Sequence, residues 1–284
     1  MPKKIAFLGP IGTYSDEASY LYAPNAERMP FASLGLVMSA LEEGNVDEAV
    51  VPIENSLGGT VIEVVDFLIA SEKSQIKDEF LLPIDHCLIT RPGVRLSDIR
   101  VVVSKQEALT QCRQFLAREL RFAEQVPATS TALAVVDLKE ADRRTAAIGP
   151  RRAAELAGLP VLAHGIQDRK NNVTRFAVLA SSSMPPSGSD KTTIAFDFDK
   201  PDAPGLVYGA MRPFADRGIN LTKIESRPTG TGMGNYIFLL DLEGHIDEPH
   251  VQQAITELQG HTSTFKVLGA YPRAEGMSVR QLDE

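Results

Sequence analysis

The sequence predicts an α/β protein of two domains, the first built from alternating strands and helices and the second of βαββαβ order. Three observations predict it. From the start to about residue 180, apolar runs of strand length alternate with segments of helical periodicity. The stretch SSSMPPSGSD, residues 181 to 190, has the serine, proline and glycine content of a linker. Beyond it the order of elements changes. Strands separated by helices imply a largely parallel sheet with covered faces. The later order implies an antiparallel, ferredoxin-like sheet with two helices on one face.

Taken along the chain, KKIAFLG reads as a strand and SDEASYLYA as a helix capped by Ser15, with acidic residues in its first turn. SLGLVMSALEEG is a helix with Ser33 at its head and Gly44 to stop it. VDEAVVPIE is a strand, TVIEVVDFLIA a helix, and FLLPIDHCLIT and IRVVVS are strands. QEALTQCRQFLAREL carries apolar residues at 108, 109, 112, 115, 116 and 120, the spacing of one continuous helix. TSTALAVVDL, TAAIG, PRRAAELAG and TRFAVLA complete the alternation. Past the linker come TTIAFDF, GLVYGAMRPFADRG, INLTKIESRP, GNYIFLLDLEG, PHVQQAITELQG and TFKVLGAYP as strand, helix, strand, strand, helix, strand.

At 284 residues, 43% hydrophobic and 23% charged, the chain has the size and composition of a two-domain globular protein. Its longest apolar segments, Val46–Ile53 and Val61–Ala70, fall well short of the roughly 20 residues that span a bilayer. With no signal-peptide pattern at the start, the cytoplasm is the expected location. A net charge of −8 argues against nucleic acid and against an anionic membrane as partners. The five histidines show no ligand spacing, so neither a metal nor another cofactor is expected. Cys112 falls on the apolar side of its helix, as a buried thiol would.

Ligands of open α/β folds lie beyond the carboxyl ends of strands, which directs attention to the turns there. GPIGTYS follows the first strand, and its glycines and helix start suit either an anion or a plain capped turn; it contains Thr13. PIENSLGGT sets Glu54, Asn55, Ser56 and Thr60 around a glycine pair, more polar chemistry than a connecting loop needs. NNVTRF brings Asn171, Asn172, Thr174 and Arg175 to the mouth of an apolar strand that begins at Phe176. Arg175 suits a carboxylate held by two parallel hydrogen bonds, or a salt bridge at a strand end. Ser104, Gln111, Ser130 and Thr131 flank two further helices, where capping is the competing role. The sum is a cleft rich in neutral donors, with no histidine beside a serine or cysteine in any of these turns.

GPIGTYS, VVPIENSLGGTV, TSTA, NNVTRF and, past the linker, ESRP together resemble the prephenate dehydratases, in the right order over nearly the whole chain. The resemblance implies a two-lobed catalytic domain similar to type II periplasmic binding proteins, over residues 1–182. It implies an ACT regulatory domain over 191–284. It further implies loss of the ring carboxylate of prephenate as CO2 and of its C4 hydroxyl as water, giving phenylpyruvate for L-phenylalanine biosynthesis. The catalytic set it implies is Thr174, Arg175, Glu54, Asn55, Ser104 and Gln111. Thr13, Ser56, Thr60, Ser130, Thr131, Asn172 and Phe176 would bind substrate. Where the family reads roughly Ser-His-Pro-Gln, this chain has Ser104 followed by Lys105-Gln106-Glu107.

In the second domain the resemblance implies L-phenylalanine binding by Gly205, Leu206, Val207, Asn220, Leu221, Glu225, Ser226 and Arg227, although Pro204 stands before Gly205 and the family's alanine after that glycine is missing. The expected enzyme is monofunctional and feedback-regulated, a homo-oligomer assembled as a tetramer from dimers. Thr174 would donate a hydrogen bond to the leaving hydroxyl, and Glu54 would be either a second proton donor or an acceptor that fixes Asn55 or Arg175. Arogenate as substrate, or a non-catalytic amino-acid or keto-acid sensor, are the competing readings.

Overall fold

The computed structural model describes residues 2–198, 203–228 and 236–274. Contacts divide the described residues into two compact units, one holding those up to Val61 and Leu81–Phe176, the other Ile62–Phe80 and the described residues from Ala177 to Ala274.

The first unit opens with β1 (Lys4–Leu8), α1 (Tyr14–Tyr22), β2 (Glu27–Phe31), α2 (Leu34–Glu42), β3 (Glu48–Asn55) and the short β4 (Gly59–Thr60). β1 is flanked by β2 and β3, both parallel to it, and β4 folds back on β3. The helix after β1 is capped by Thr13, whose hydroxyl accepts from Asp16 N–H, two residues earlier than the Ser15 expected; Ser15 is buried inside the helix. Gly12, at φ +89°, makes the turn before it, and a Cβ there would press on Ala153. α2 is capped by Ser33, as its sequence implies.

α3 (Ile62–Ala70) and most of β5 (Gln75–Pro83) belong to the second unit. The chain then builds a second sheet in the first unit from β6 (Cys87–Ile89), β7 (Val101–Ser104), α4 (Gln106–Gln111), α5 (Arg113–Glu119), β8 (Glu124–Pro127), α6 (Thr131–Asp137), β9 (Thr145–Gly149), α7 (Arg151–Ala157) and β10 (Val161–Ala163). Its strand order is β10-β6-β9-β7-β8. Its core gathers Leu88, Val102, Leu109, Cys112, Leu116 and Ile148 on one side and Ile89, Ala132, Val135 and Ala147 on another. Two α/β sheets in one unit match the two lobes expected. β11 (Val173–Ala180) returns beside β3.

FLLPIDHCLIT, read as one strand, is two. Pro83 has no N–H to offer, Ile84 N–H donates to Asn172 O, and His86 N–H donates to the Gln167 side chain, so the chain leaves the ladder before Cys87. QEALTQCRQFLAREL is likewise two helices meeting at Cys112. Asp168 is the wedge: its N–H donates to Gln111 O at 2.7 Å, and its carboxylate accepts from Gln114 N–H at 3.0 Å.

The second unit continues with β12 (Asp190–Phe198), α8 (Leu206–Ala215), β13 (Leu221–Pro228), β14 (Tyr236–Glu243), α9 (Pro249–Gln259) and β15 (Thr262–Pro272). The order β13-β14-β12-β15, antiparallel throughout, is the ferredoxin-like arrangement. Phe196, Phe214, Leu240, Val251 and Leu258 fill its core beneath the two helices. β5 joins the far side of β15 in parallel, where Ile76 faces Gly269. A Cβ on Gly269 would stand 2.3 Å from Ile76 O, so only glycine permits that approach. Segment 62–80 is held by three cations of this sheet. Lys191 pairs with Glu79 at 2.6 Å, Lys266 donates to the Ile69 and Ser71 carbonyls, and Arg227 pairs with Asp66. Lys266 thereby satisfies carbonyls at the carboxyl end of α3.

Candidate active site

The PIENS turn and the NNVTRF strand mouth meet because β3 and β11 are neighbours. Ser56 ties them, its N–H donating to Val173 O and its hydroxyl donating to Asn171 O while accepting from Val173 N–H. Asn55 is the hub. Its Oδ1 accepts from the N–H groups of Leu57 and Gly58, both at 2.9 Å. Its Nδ2 donates to Asn172 Oδ1 at 2.9 Å and to Thr174 Oγ1 at 3.0 Å. Thr174 is only 8% exposed, and with its oxygen accepting from Asn55 its own proton remains to be given away. Arg175, equally buried, pairs with Glu54 at 3.0 Å. Phe176 is buried behind them.

Two residues that sequence reasoning missed, His86 and Tyr14, complete the cluster through the expected Gln111. Gln111, the last residue of α4, accepts at Oε1 from Asn172 Nδ2 at 3.2 Å and stands 2.8 Å from His86 Nε2. His86 Nδ1 lies 3.0 Å from the hydroxyl of Tyr14, which is also 2.9 Å from Asp85 O. Burial pulls the imidazole below its ordinary pKa, against the bond to Gln111 and the nearby Asp85 carboxylate, and pushes the Tyr14 phenol well above its own. The one available signal was the Asp85-His86 pair, two polar residues inside an otherwise largely apolar run. A cavity of about 220 Å³ is lined by Leu57, Thr110, Gln111, Gln167, Asp168, Arg169 and Asn172.

The remaining expected site residues are engaged in capping, strand pairing and buried backbone bonds. Ser104 is fully buried and donates to Ile148 O at 2.6 Å. Thr13 caps α1 and also donates to Pro10 O, Ser130 caps α6 with Thr131 as its first residue, and Thr60 pairs with Glu54 across β3 and β4. Cys112 is buried, its thiol pushed up to about 12 by burial. Among the described residues no cluster of three His, Cys, Asp or Glu side chains could hold a metal ion, and no helix is long and apolar enough to cross a membrane.

In the second unit Gly205, at φ +86°, is the N-cap of α8, with Leu206 and Val207 in its first turn. Asn220 and Leu221 lie beyond its other end, about 15 Å away for a helix of ten residues. Along β13, Leu221, Glu225 and Arg227 are half-buried while Ser226 turns outward. Glu225 stands 3.4 Å from Lys223.

A buried donor hydroxyl, a guanidinium held by a glutamate and an amide-rich wall, carried on two α/β sheets ahead of a ferredoxin-like unit, make a two-part α/β protein with a candidate site of mostly neutral donors in its first part. The chain belongs to the prephenate dehydratase family, whose model matches residues 5–184, and an ACT domain model matches residues 200–260. It is 36% identical to the prephenate dehydratase of Mycolicibacterium vanbaalenii, over 99% of this chain and 95% of that one. The solved structure of Arthrobacter aurescens prephenate dehydratase in complex with L-Phe is 37% identical, covers 95% of this chain and 90% of that one, and superposes with a TM-score of 0.86. A structure described as GqqA, a novel type of quorum quenching acylase, is 30% identical with the same TM-score, over 96% and 98% of the two chains.

Proposed function

We propose that the chain converts prephenate to phenylpyruvate, CO2 and water, with residues 1–182 as its catalytic part and 191–284 as its regulatory part. The C–C bond to the ring carboxylate breaks and its electrons enter the ring, the C4–O bond breaks, and one proton is consumed as hydroxide leaves as water. The observation that carries this is the Thr174 hydroxyl, buried, its oxygen already accepting from Asn55 and its proton available. A threonine is too weak an acid to surrender that proton cheaply. It acts as a preorganised donor whose hydrogen bond strengthens as charge builds on the departing oxygen. Arg175 grips the pyruvyl carboxylate. A site walled mostly by neutral amides does not over-stabilise, in the ground state, the carboxylate that leaves.

L-phenylalanine acts at the ACT domain as feedback inhibitor. Gly205–Val207 and Asn220–Leu221 stand at opposite ends of α8, which supports a site shared between two copies and hence a homo-oligomer, a tetramer of paired dimers. The cytoplasm is the working compartment.

Product formation from prephenate and, separately, from arogenate tests the reading. Phenylpyruvate well above the spontaneous rate is expected, with turnover of Thr174→Ala lower by about 10²–10³-fold. Preferential formation of phenylalanine from arogenate would change the substrate, and silence with both would leave a sensor. Sedimentation showing a monomer with and without phenylalanine would remove the shared site.

A further inference from the structure

Tyr14, His86, Gln111, Asn172, Asn55 and Thr174 stand in one unbroken line of hydrogen bonds. Its direction can be read from one end. Backbone N–H groups cannot be turned round, and those of Leu57 and Gly58 both point at one end of the Asn55 amide, which must be oxygen. The other end is therefore NH2, and it donates to Asn172, whose facing atom must be oxygen. Asn172 then turns its own NH2 to Gln111, whose facing atom must be oxygen in turn. An oxygen 2.8 Å from His86 Nε2 requires a proton on that nitrogen.

We propose that His86 is a positioning residue for the reaction: its Nε2–H locks Gln111 so that only the amide NH2 is left for the cavity. Resting on the reading of an anionic substrate given above, this sets what Gln111 offers to a ligand. With the proton on Nδ1 instead, Nε2 would need a donor, Gln111 would rotate to supply one, and its NH2 would oppose the NH2 of Asn172. The oxygen would then face the cavity, where it would repel a carboxylate and could not assist a departing hydroxide. On the far side the Tyr14 phenol stays protonated because burial disfavours the phenolate, and its one proton stands between two acceptors in this tautomer, Nδ1 at 3.0 Å and Asp85 O at 2.9 Å.

His86→Gln and His86→Asn separate positioning from bulk. Glutamine carries an N–H donor to where Nε2 stands, whereas asparagine reaches only to the place of Nδ1. His86→Gln is expected to keep kcat/KM within a few-fold, and His86→Asn to lose a further factor of about ten or more, the order of one hydrogen bond in the transition state. A ring that merely fills space would make the two fall alike, and that result would overturn the proposal. Nitrogen-15 spectra of the unaltered protein give an independent readout: the Nε2–H tautomer is expected at pH 7.5, and the Nδ1–H form would overturn it. Should the unaltered protein leave prephenate untouched, the reading of the reaction fails, and the spectra still decide the tautomer.

Discussion

Asn55 shows how much chemistry a single amide can carry. Both of its ends are committed, one to backbone N–H groups and the other to Asn172 and Thr174. Asn55→Asp keeps the shape and replaces the donor end with an acceptor, setting oxygen against Asn172 Oδ1 and removing the donor to Thr174. The expected cost is about 10²-fold or more in kcat with little change in melting temperature, measured on prephenate. His86 supplies a pH-dependent prediction. Its folded pKa is depressed while an unfolded histidine titrates near about 6.5, so the unfolded chain binds more protons just below that pH. The stability it contributes is fully present above about pH 6.5 and is lost as pH falls toward the folded value. Urea midpoints from pH 5.5 to 7.5 should slope more steeply for the unaltered protein than for His86→Gln. Glu17, whose carboxyl burial pushes up, acts in the opposite sense at lower pH in both proteins and cancels from the comparison. PIENS and TRF were legible because their polar residues are consecutive. His86 and Tyr14 were not, since they lie 72 residues apart and only the packing of loop on loop joins them.

Among the elements, those that sequence misjudged share a cause. β2, β8 and β10 escaped notice, and each is an edge strand, with polar or short sequences that lack the apolar pattern of a strand buried on both sides. The helix broken at Cys112 kept its apolar periodicity across the break, so periodicity could not reveal it; Asp168, more than fifty residues on, interrupts it. Central strands and long amphipathic helices declared themselves because burial dictates their pattern. Gly269 marks where packing is tightest. Gly269→Ala is expected to force β15 and β5 apart and to cost roughly 1–3 kcal/mol or more, seen as a fall in Tm with the secondary structure otherwise retained.

Across the whole chain, the linker at 181–190 is where composition changes, yet the second compact unit also takes in 62–80. Sequence has no means of showing this, because α3 and β5 read as ordinary members of the alternation that surrounds them. A fragment ending at residue 182 would lose Lys191, the cation that stands 2.6 Å from Glu79, a carboxylate only 5% exposed in the full chain. Removing one partner of a buried pair typically costs about 3–5 kcal/mol. The fragment is therefore expected to be markedly less resistant to urea and to proteolysis than the full chain, by denaturation midpoint and limited digestion. The same arrangement limits how the regulatory half can be traded between relatives. A chimera joined at the linker would draw Glu79, Asp66 and Ile76 from one parent and Lys191, Arg227 and Gly269 from the other. Parts that look interchangeable in the gene share a lock whose tumblers lie on both sides of the seam, and a working graft has to carry residues 62–80 along with the domain that grips them.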